Sequence, residues 1–349
     1  MQQLTGFSKA EHLNPSLNEK RVMSAYKPIK LGHLKDFPQD FSDYFKDHFG
    51  FRNFLISTNN FIKTIHFKVS AKKEVIIGNE GWMFYDNAGS IADHLGKNKL
   101  NEEQLELIKD KLLAKKKSCE AQGAKFYLAF FPDKMSIYDE HLPSKYEFVS
   151  STRWDQLISY LKDYDVEVID SRAEFRSQKG TQLYQKSDSH WNHNGGYLAH
   201  KNIISHLRKD FPHLLAPHEK EAYNIRVEEH PQGGDLAMLL GVKNDLTSTW
   251  FNYELKNDPK PKQSDIHPEY QFYKEEYRNT FGFKKAIDAP KLLTFNDSYI
   301  SYIYPFLGDY FSESHFFWTY DFREDLIQKE KPDIVLYMLV ERQIEVLMK

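Results

Sequence analysis

The chain has 349 residues and a formal net charge of −3, which gives no strong electrostatic field to attract nucleic acid or an anionic membrane. Hydrophobic residues make up 40% of it and charged residues 28%, a balance that predicts a packed soluble core and excludes a disordered chain. The single cysteine, Cys119, excludes an internal disulfide.

The first 70 residues predict an N-terminal arm followed by helices. Residues 1–36 have few periodic apolar positions and predict an irregular arm. Residues 37–68 have aromatic side chains at helical spacing, which predicts one or two helices broken near Gly50. We expect the aromatic stripe of these helices to pack in a core. Residues 71–349 then form the main domain.

Helices and strands alternate through the main domain. The runs at 74–78 and 81–86 predict a hairpin, and Asn101, Gln104 and Gly123 predict the two ends of a helix at about 101–122. Residues 210–290 are polar and predict a long insertion or a small subdomain. The whole pattern predicts an α/β domain with a mostly parallel sheet flanked by helices. Further strands are expected at 125–132, 166–170, 291–297 and 333–342, and further helices at 151–164 and about 194–208.

Asp188 and His190 are two residues apart, immediately before a helix that Asn192 or Asn194 can cap. A carboxylate can hydrogen-bond one imidazole nitrogen and fix the tautomer, which leaves the other nitrogen free to take a proton from a hydroxyl. We expect Trp191 to lie against the imidazole. The sequence therefore predicts an acid and base pair in one cleft.

Two other interpretations of this segment stay open. A capped surface turn would use the same residues without any chemistry. Asp188, His190 and His193 also form the pattern D-x-H-x-x-H, and two imidazoles three residues apart can share one metal ion.

Ser298 follows a predicted buried strand directly. The carboxyl ends of strands in an open α/β sheet are where ligands bind, so its hydroxyl is expected to be exposed there. The backbone N–H groups of Ser298 and Tyr299 would lie at a helix N-terminus, where they could bind an oxyanion. The alternative is a serine that only caps the helix.

The last strand is expected to end near Glu341 and Arg342, at the same edge of the sheet as Ser298. A cation at this edge could stabilise a tetrahedral intermediate or bind substrate. A structural ion pair between Glu341 and Arg342 is an equal alternative.

Taken together, these segments resemble the alginate O-acetylation proteins of the AlgJ and AlgX type and their SGNH-hydrolase-like relatives. The ordered set is more specific than any one member and covers roughly residues 37–349. The similar pieces are FSDYFKDHFGFRNFL (41–55), GNEGWMFYDN (78–87), FFPDKMSIYDEHLP (130–143), DSHWNHNGGY (188–197) and FNDSY (295–299).

The resemblance implies roles for particular residues of this chain. Ser298 would be the nucleophile, His190 the general base and Asp188 the orienting acid. Tyr304 and Arg342 would be the additional active-site tyrosine and arginine, although Pro305 is expected to bend the backbone away from helix at Tyr304.

The resemblance also implies an SGNH-hydrolase-like fold in circularly permuted order, because the Asp-x-His block precedes the serine. One position departs from the family pattern. Asn296 stands where a glycine is usual before Asp-Ser, and its side chain could narrow the cleft and alter substrate placement. The chain is expected to be closer to AlgJ than to AlgX, with no carbohydrate-binding module after Arg342.

The function implied is a serine-dependent O-acetyltransferase that modifies hydroxyls of an extracytoplasmic polysaccharide without a cofactor. The implied partners are the polysaccharide acceptor and a membrane-bound O-acyltransferase that supplies acyl groups. The implied location is the periplasm, as a soluble portion behind a signal or membrane anchor. An acetylesterase, a polysaccharide-binding scaffold on the same fold and a metal-dependent hydrolase remain alternatives.

Overall fold

A computed structural model gives the fold and describes residues 23–148, 150–256, 262–264 and 281–349. Most of the predicted N-terminal arm lies outside the described residues. The strands are β1 (Val75–Ile77), β2 (Met83–Tyr85), β3 (Lys125–Phe131), β4 (Val168–Asp170), β5 (Tyr223–His230), β6 (Ser248–Leu255), β7 (Lys262–Ser264), β8 (Phe281–Lys284), β9 (Lys291–Asn296), β10 (Glu313–Trp318) and β11 (Ile334–Val340).

The α-helices of the described residues are α1 (Phe37–His48), α2 (Arg52–Phe61), α3 (Ser90–His94), α4 (Glu102–Glu120), α5 (Lys134–Ile137), α6 (Arg153–Leu161), α7 (Arg172–Ser177), α8 (His193–Leu207), α9 (Asp235–Leu239), α10 (Tyr304–Leu307) and α11 (Glu324–Glu330). A π-helical turn (Ile62–His66) follows α2. The longer 3-10 segments are Ser298–Tyr302 and Glu341–Met348. The predicted capping box of α4 is present, with Asn101 and Gln104 bonded reciprocally.

The central sheet has seven strands in the order β4-β3-β11-β9-β10-β8-β7. The first five are mutually parallel, and β8 and β7 continue the sheet antiparallel at one edge. This confirms the predicted α/β architecture with a mostly parallel sheet. The predicted hairpin is also confirmed, because β1 and β2 pair antiparallel as a separate small sheet.

Strands β3 and β11 lie at the centre of the sheet and read as unbroken apolar runs because both of their faces are buried. Their side chains alternate between two cores. Tyr127 and Phe131 pack in the core that also contains Trp191, whereas Phe126 and Phe130 pack on the opposite face with α4 and α6. The helix layers therefore cover both faces and leave the carboxyl ends of the strands at one open edge.

The N-terminal helices α1 and α2 are separated at Gly50, as predicted. The expectation that their aromatic stripe packs in a core is wrong for α1, whereas Phe61 at the end of α2 packs against a core cluster. Phe41 and Phe45 are 45% and 52% exposed, and they stack on each other and on Phe37 along one side of α1. Helical spacing placed these rings on one face, but that face is turned to solvent.

No helix within the described residues is long and apolar enough to cross a membrane.

Within the segment 210–290, the described residues are more regular than the polar sequence predicts. β5 and β6 pair along their whole length as an antiparallel hairpin, and β8 joins the central sheet. Most side chains of β5 are exposed, so its sequence lacks the apolar alternation that identifies a half-buried strand. The helix α9 lies between β5 and β6 in the chain. It brings this segment to the edge of the sheet where the parallel strands end.

Candidate active site

Ser298 lies where β9 ends and a 3-10 segment begins. Asp297 fixes this junction, because its buried carboxylate accepts the Tyr299 amide at 2.9 Å and the Val340 amide of β11 at 2.9 Å. Burial raises the pKa of Asp297, while the two amide hydrogen bonds and Arg342 oppose that rise. The junction therefore presents the Ser298 hydroxyl at the carboxyl edge of the sheet, as the sequence predicts.

Asp188 and His190 lie on the tight turn before α8. Asp188 Oδ1 accepts the His190 amide at 2.9 Å and lies 2.7 Å from Nδ1 of the imidazole. On the other side of the ring, Nε2 of His190 lies 2.7 Å from Oγ of Ser298. Asn192 caps α8 by accepting the Asn194 and Gly195 amides, and this holds the turn against the helix. The structure thus brings the three predicted side chains into one hydrogen-bonded line.

The electrostatics of this hydrogen-bonded series favour the ionised forms of both His190 and Asp188. Burial disfavours the imidazolium of His190, but hydrogen bonds with Asp188 and Asp235 outweigh it and raise the pKa of His190 to about 9. Burial raises the pKa of Asp188, but the hydrogen bonds and the charge of His190, together with the Asp235 amide, outweigh it and hold that pKa well below its ordinary value. A raised histidine pKa means that the neutral, proton-accepting imidazole is favoured in alkaline solution.

Asp235 is a second acid at the same imidazole, and sequence reasoning missed it. Its Oδ2 lies 3.5 Å from Nδ1 of His190, its amide donates to Asp188 Oδ2 at 2.8 Å, and its Oδ1 accepts the Ser189 amide at 2.6 Å. The preceding Gly234 is required by this approach, since a Cβ there would come within 2.5 Å of Asp188 Oδ2. The Gly-Gly-Asp run at 233–235 was the available signal, but it lies in the insertion, 45 residues beyond His190.

Lys134 stabilises the turn that carries Asp188 and His190. Its buried ammonium donates to the backbone carbonyls of Met83 at 2.7 Å, of Lys186 at 3.1 Å, and of Asp188. Burial lowers the pKa of Lys134 to about 7, against the opposing pull of Asp188 and Asp235. Lys134 belongs to the FFPDK segment, but no feature of that segment predicts a contact with the turn that carries Asp188 and His190.

Arg342 is at the predicted edge of the sheet but does not line the cleft. Its guanidinium is 6% exposed, pairs with Asp133, donates to the Tyr299 hydroxyl at 3.2 Å and lies 5.2 Å from the centre of that ring. Glu341 instead accepts from the Asp133 amide and from Ser136. The predicted contact of Arg342 with substrate or oxyanion stays a prediction. The alternative Glu341–Arg342 pair is not formed, because each side chain bonds other partners. The arginine supports the serine turn from within the core.

The tyrosines differ from their predicted positions. The Tyr299 amide is already bonded to Asp297, and its buried hydroxyl donates to the Ser189 carbonyl at 2.7 Å, so Tyr299 is not available as an oxyanion donor. Tyr304 packs against Phe281 at 4.3 Å between ring centres, on the antiparallel side of the sheet. It begins α10, where a proline is tolerated at the first turn, so the expected bend does not occur. Two tyrosine rings lie near the imidazole, Tyr299 at 5.1 Å and Tyr302 at 6.4 Å between ring centres.

Trp191 and Asn296 also lie away from the cleft. Trp191 is fully buried, packs on Phe131 and Phe175, and donates its indole N–H to the Tyr299 carbonyl at 3.0 Å. Asn296 is fully buried as well. Its side-chain oxygen accepts from the Thr294 hydroxyl, and its side-chain N–H donates to the Asp297 carbonyl. The expectations that Trp191 lies against the imidazole and that Asn296 narrows the cleft are wrong, because both side chains are buried and point away from the cleft.

A cavity of about 270 Å³ adjoins the acid end of the line. Asp188, Asp235 and Tyr302 form one wall, and His230 and Trp250 of the β5–β6 hairpin form another. The insertion therefore lines the cleft beside the acid and base pair.

The metal site predicted from D-x-H-x-x-H is not formed as proposed. The ligand-type atoms of Asp188, His190 and Asp235 lie within 4.8 Å of one another, whereas the His193 ring packs on Tyr302 at 5.1 Å. The first two are already joined by a hydrogen bond, so the cluster is satisfied as an acid and base network. Another such cluster, Glu313, His315 and Glu330, begins at the opposite end of the parallel strands from Ser298.

Comparisons with known proteins agree with this architecture. The family model described as SGNH hydrolase-like domain, acetyltransferase AlgX, matches residues 75–266. No curated protein matches the chain at a significant level. Bacillus cereus PatB1, solved with a sulfonyl adduct, is similar with a TM-score of 0.57 and 15% identity, over 79% of this chain and 99% of that one.

Two further structures are similar at the level of fold. A DHHW family protein from Eubacterium siraeum has a TM-score of 0.51 and 17% identity, over 69% of this chain and 84% of that one. Pseudomonas aeruginosa AlgX has a TM-score of 0.50 and 13% identity, over 78% of this chain and 64% of that one. The SGNH-hydrolase-like fold predicted from the sequence is confirmed, while a closer relation to AlgJ stays a prediction.

Proposed function

The chain belongs to the AlgX family of SGNH hydrolase-like domains, and from that premise we propose that it is a serine-dependent O-acetyltransferase acting on polysaccharide hydroxyls. The observation that supports this most directly is the line from Ser298 Oγ through His190 to Asp188, with 2.7 Å at both hydrogen bonds. This is the geometry that an activated serine nucleophile requires.

The proposed reaction has two halves. In the first, Nε2 of His190 takes the proton of Ser298 as Oγ attacks the acyl carbonyl, and the imidazolium returns that proton to the leaving group. In the second, His190 takes the proton of a sugar hydroxyl as its oxygen attacks the acyl-serine. The imidazolium then gives that proton to Oγ of Ser298 as the acyl–Oγ bond breaks. Asp188 holds the tautomer and stabilises the imidazolium in both halves.

The oxyanion of each tetrahedral intermediate needs hydrogen-bond donors near Ser298. The Ser298 amide lies at the first position of the 3-10 segment and is one candidate donor. The Tyr299 amide is not, because Asp297 occupies it. Of these two amides, only that of Ser298 is left to stabilise the oxyanion.

The acceptor, the acyl supplier and the location belong to the same proposal. We infer a polysaccharide acceptor in the periplasm and a membrane-bound O-acyltransferase as the source of acyl groups, all by analogy with alginate O-acetylation. Water in place of the sugar would make the same site an acetylesterase. The scaffold alternative loses its main support, because Asn296 is buried away from the cleft.

The test compares acetyl transfer with hydrolysis. Purified protein is given 4-nitrophenyl acetate with and without oligosaccharides, and nitrophenol release and acetylated sugar are both measured. Ser298→Ala and His190→Ala should abolish both products, whereas Ser301→Ala, a serine on the same 3-10 segment, should retain them. Nitrophenol release without acetylated sugar for any acceptor would instead indicate an esterase. Equal rates in wild type and Ser298→Ala would contradict the proposal.

A further inference from the structure

The cavity beside the acid end of the line has features of a built binding site that the proposed chemistry does not use. Its volume of about 270 Å³ suits one monosaccharide unit rather than an extended oligomer. Only two hydrogen bonds and the imidazole ring separate its Asp188 wall from Oγ of Ser298. A sugar held there would lie against Asp188, the acid that hydrogen-bonds the catalytic imidazole.

Trp250 supplies an aromatic platform at the rim. Its side chain is 40% exposed although it belongs to a paired strand, and one side of it stacks on His230 with 5.1 Å between ring centres and 24° between planes. Its indole N–H donates to Ser248 Oγ at 3.1 Å, and that hydroxyl donates to the Gln232 carbonyl at 2.7 Å. The indole is therefore fixed in orientation, and an exposed, oriented ring offers a flat apolar surface to a ligand.

Gln185 supplies an unpaired acceptor in the same cavity. Its side chain is 5% exposed, and its Oε1 has no hydrogen-bond partner among the described residues. An acceptor buried without a partner costs about 1–3 kcal/mol, so a retained one points to a donor that arrives with a ligand. The backbone N–H of Gln185 donates to the His190 carbonyl at 3.3 Å, which links this side of the cavity to the catalytic turn.

We propose that this cavity is the acceptor subsite and binds one pyranose unit of the polysaccharide. The C–H face of the sugar ring packs on Trp250, and a sugar hydroxyl donates to Oε1 of Gln185. Pyranose rings combine an apolar face with equatorial hydroxyls, and the cavity pairs an apolar ring with a polar wall. The inference rests on the proposed transferase function and adds its sugar-binding residues.

The experiment separates the two halves of the reaction. Wild type, Trp250→Ala, Trp250→Phe and Gln185→Leu are first acylated with 4-nitrophenyl acetate. Each is then given tetrasaccharides of glucose, N-acetylglucosamine, mannose and mannuronate, one at a time. Acyl-enzyme formation and acceptor-dependent deacylation are measured separately. Val227→Ala is the matched control, because Val227 is 60% exposed on the same hairpin.

All variants should acylate at rates close to that of wild type. Trp250→Ala should raise the acceptor KM about tenfold or more, and Trp250→Phe should recover most of that loss because it keeps a flat ring. Gln185→Leu should raise the acceptor KM about fivefold without lowering the melting temperature, since it removes an unpaired acceptor. Val227→Ala should behave as wild type.

Failure of wild type to form an acyl-serine would overturn the proposed function itself. An acyl-serine that forms normally but transfers to none of the tetrasaccharides would contradict the transferase function and indicate an esterase. Transfer that proceeds in Trp250→Ala and Gln185→Leu as it does in wild type would overturn only the pyranose subsite.

Discussion

The backbone N–H of Asp235 donates to Oδ2 of Asp188 at 2.8 Å, and both carboxylates face Nδ1 of His190. One acid comes from the turn before α8 and the other from the start of α9 in the insertion. The insertion thus contributes a charge to the imidazole as well as a wall to the cleft. Two nearby carboxylates stabilise the imidazolium more than one does.

Replacing Asp235 with asparagine should shift the pH dependence of acylation. The base must be neutral, so acylation should rise with pH through the pKa of His190, which is about 9. Asp235→Asn removes one negative charge, which lowers that pKa and moves the rise to lower pH by about one unit. The measurement is the pH profile of acyl-enzyme formation, with Glu229→Gln on the same hairpin as control. An unchanged profile would show that Asp235 has no electrostatic effect on the base.

Adding one methyl group at Gly234 should disable the site. A Cβ there would lie 2.5 Å from Asp188 Oδ2 and 2.3 Å from Asp188 Cβ, so either the acid or α9 must move. We expect Gly234→Ala to lower the acylation rate at least about tenfold, since small displacements of catalytic groups are costly. Gly180→Ala, where a Cβ meets nothing within 4 Å, should leave the rate unchanged. Wild-type kinetics for Gly234→Ala would contradict the tight approach of these two segments.

Removing the Lys134 ammonium should destabilise the fold around the catalytic turn. Lys134→Met leaves the Met83, Lys186 and Asp188 carbonyls without their common donor. Urea unfolding should show a loss of at least about 2 kcal/mol, because buried acceptors would be unpaired. Lys186→Met, which removes a surface ammonium bonded to the Glu80 carbonyl, should cost much less. A stability equal to wild type would mean that water replaces the ammonium.

Arg342→Met distinguishes a supporting arginine from one that binds substrate. Breaking the buried pair with Asp133 should reduce the free energy of unfolding by about 3–5 kcal/mol, because Asp133 remains as a buried unpaired charge. Arg226→Met removes an exposed pair with Glu254 and should change stability by less than about 1 kcal/mol. An Arg342→Met protein that unfolds like wild type but loses acylation would restore the substrate-binding role.

Parts of this fold can be read from sequence for identifiable physical reasons. β3 and β11 are buried on both faces, so each is an unbroken apolar run that differs from its surroundings. α4 begins with a capping box and is followed by Gly123 at φ +79, two local signals that need no tertiary information. β5 shows neither signal, because a hairpin with both faces largely exposed has no apolar period.

In the candidate site, too, local sequence signals predict some residues, whereas others depend on tertiary structure. Ser298 and His190 could be predicted because Ser298 follows β9 by two residues and His190 precedes α8 by three. The sequence did not reveal whether neighbouring side chains point toward the cleft, and so Trp191 and Asn296 were misplaced. Asp235 could not be predicted, because its relation to His190 exists only after the insertion folds back on the sheet.

The most direct test of the central claim is the intact mass of the protein after brief exposure to 4-nitrophenyl acetate and an acid quench. We predict an added mass of about 42 daltons, one acetyl group, that peptide mapping assigns to Ser298. The adduct should be absent from Ser298→Ala and His190→Ala and present in Ser301→Ala. An adduct that persists in Ser298→Ala, or that maps to a lysine in wild type, would contradict the acyl-serine mechanism.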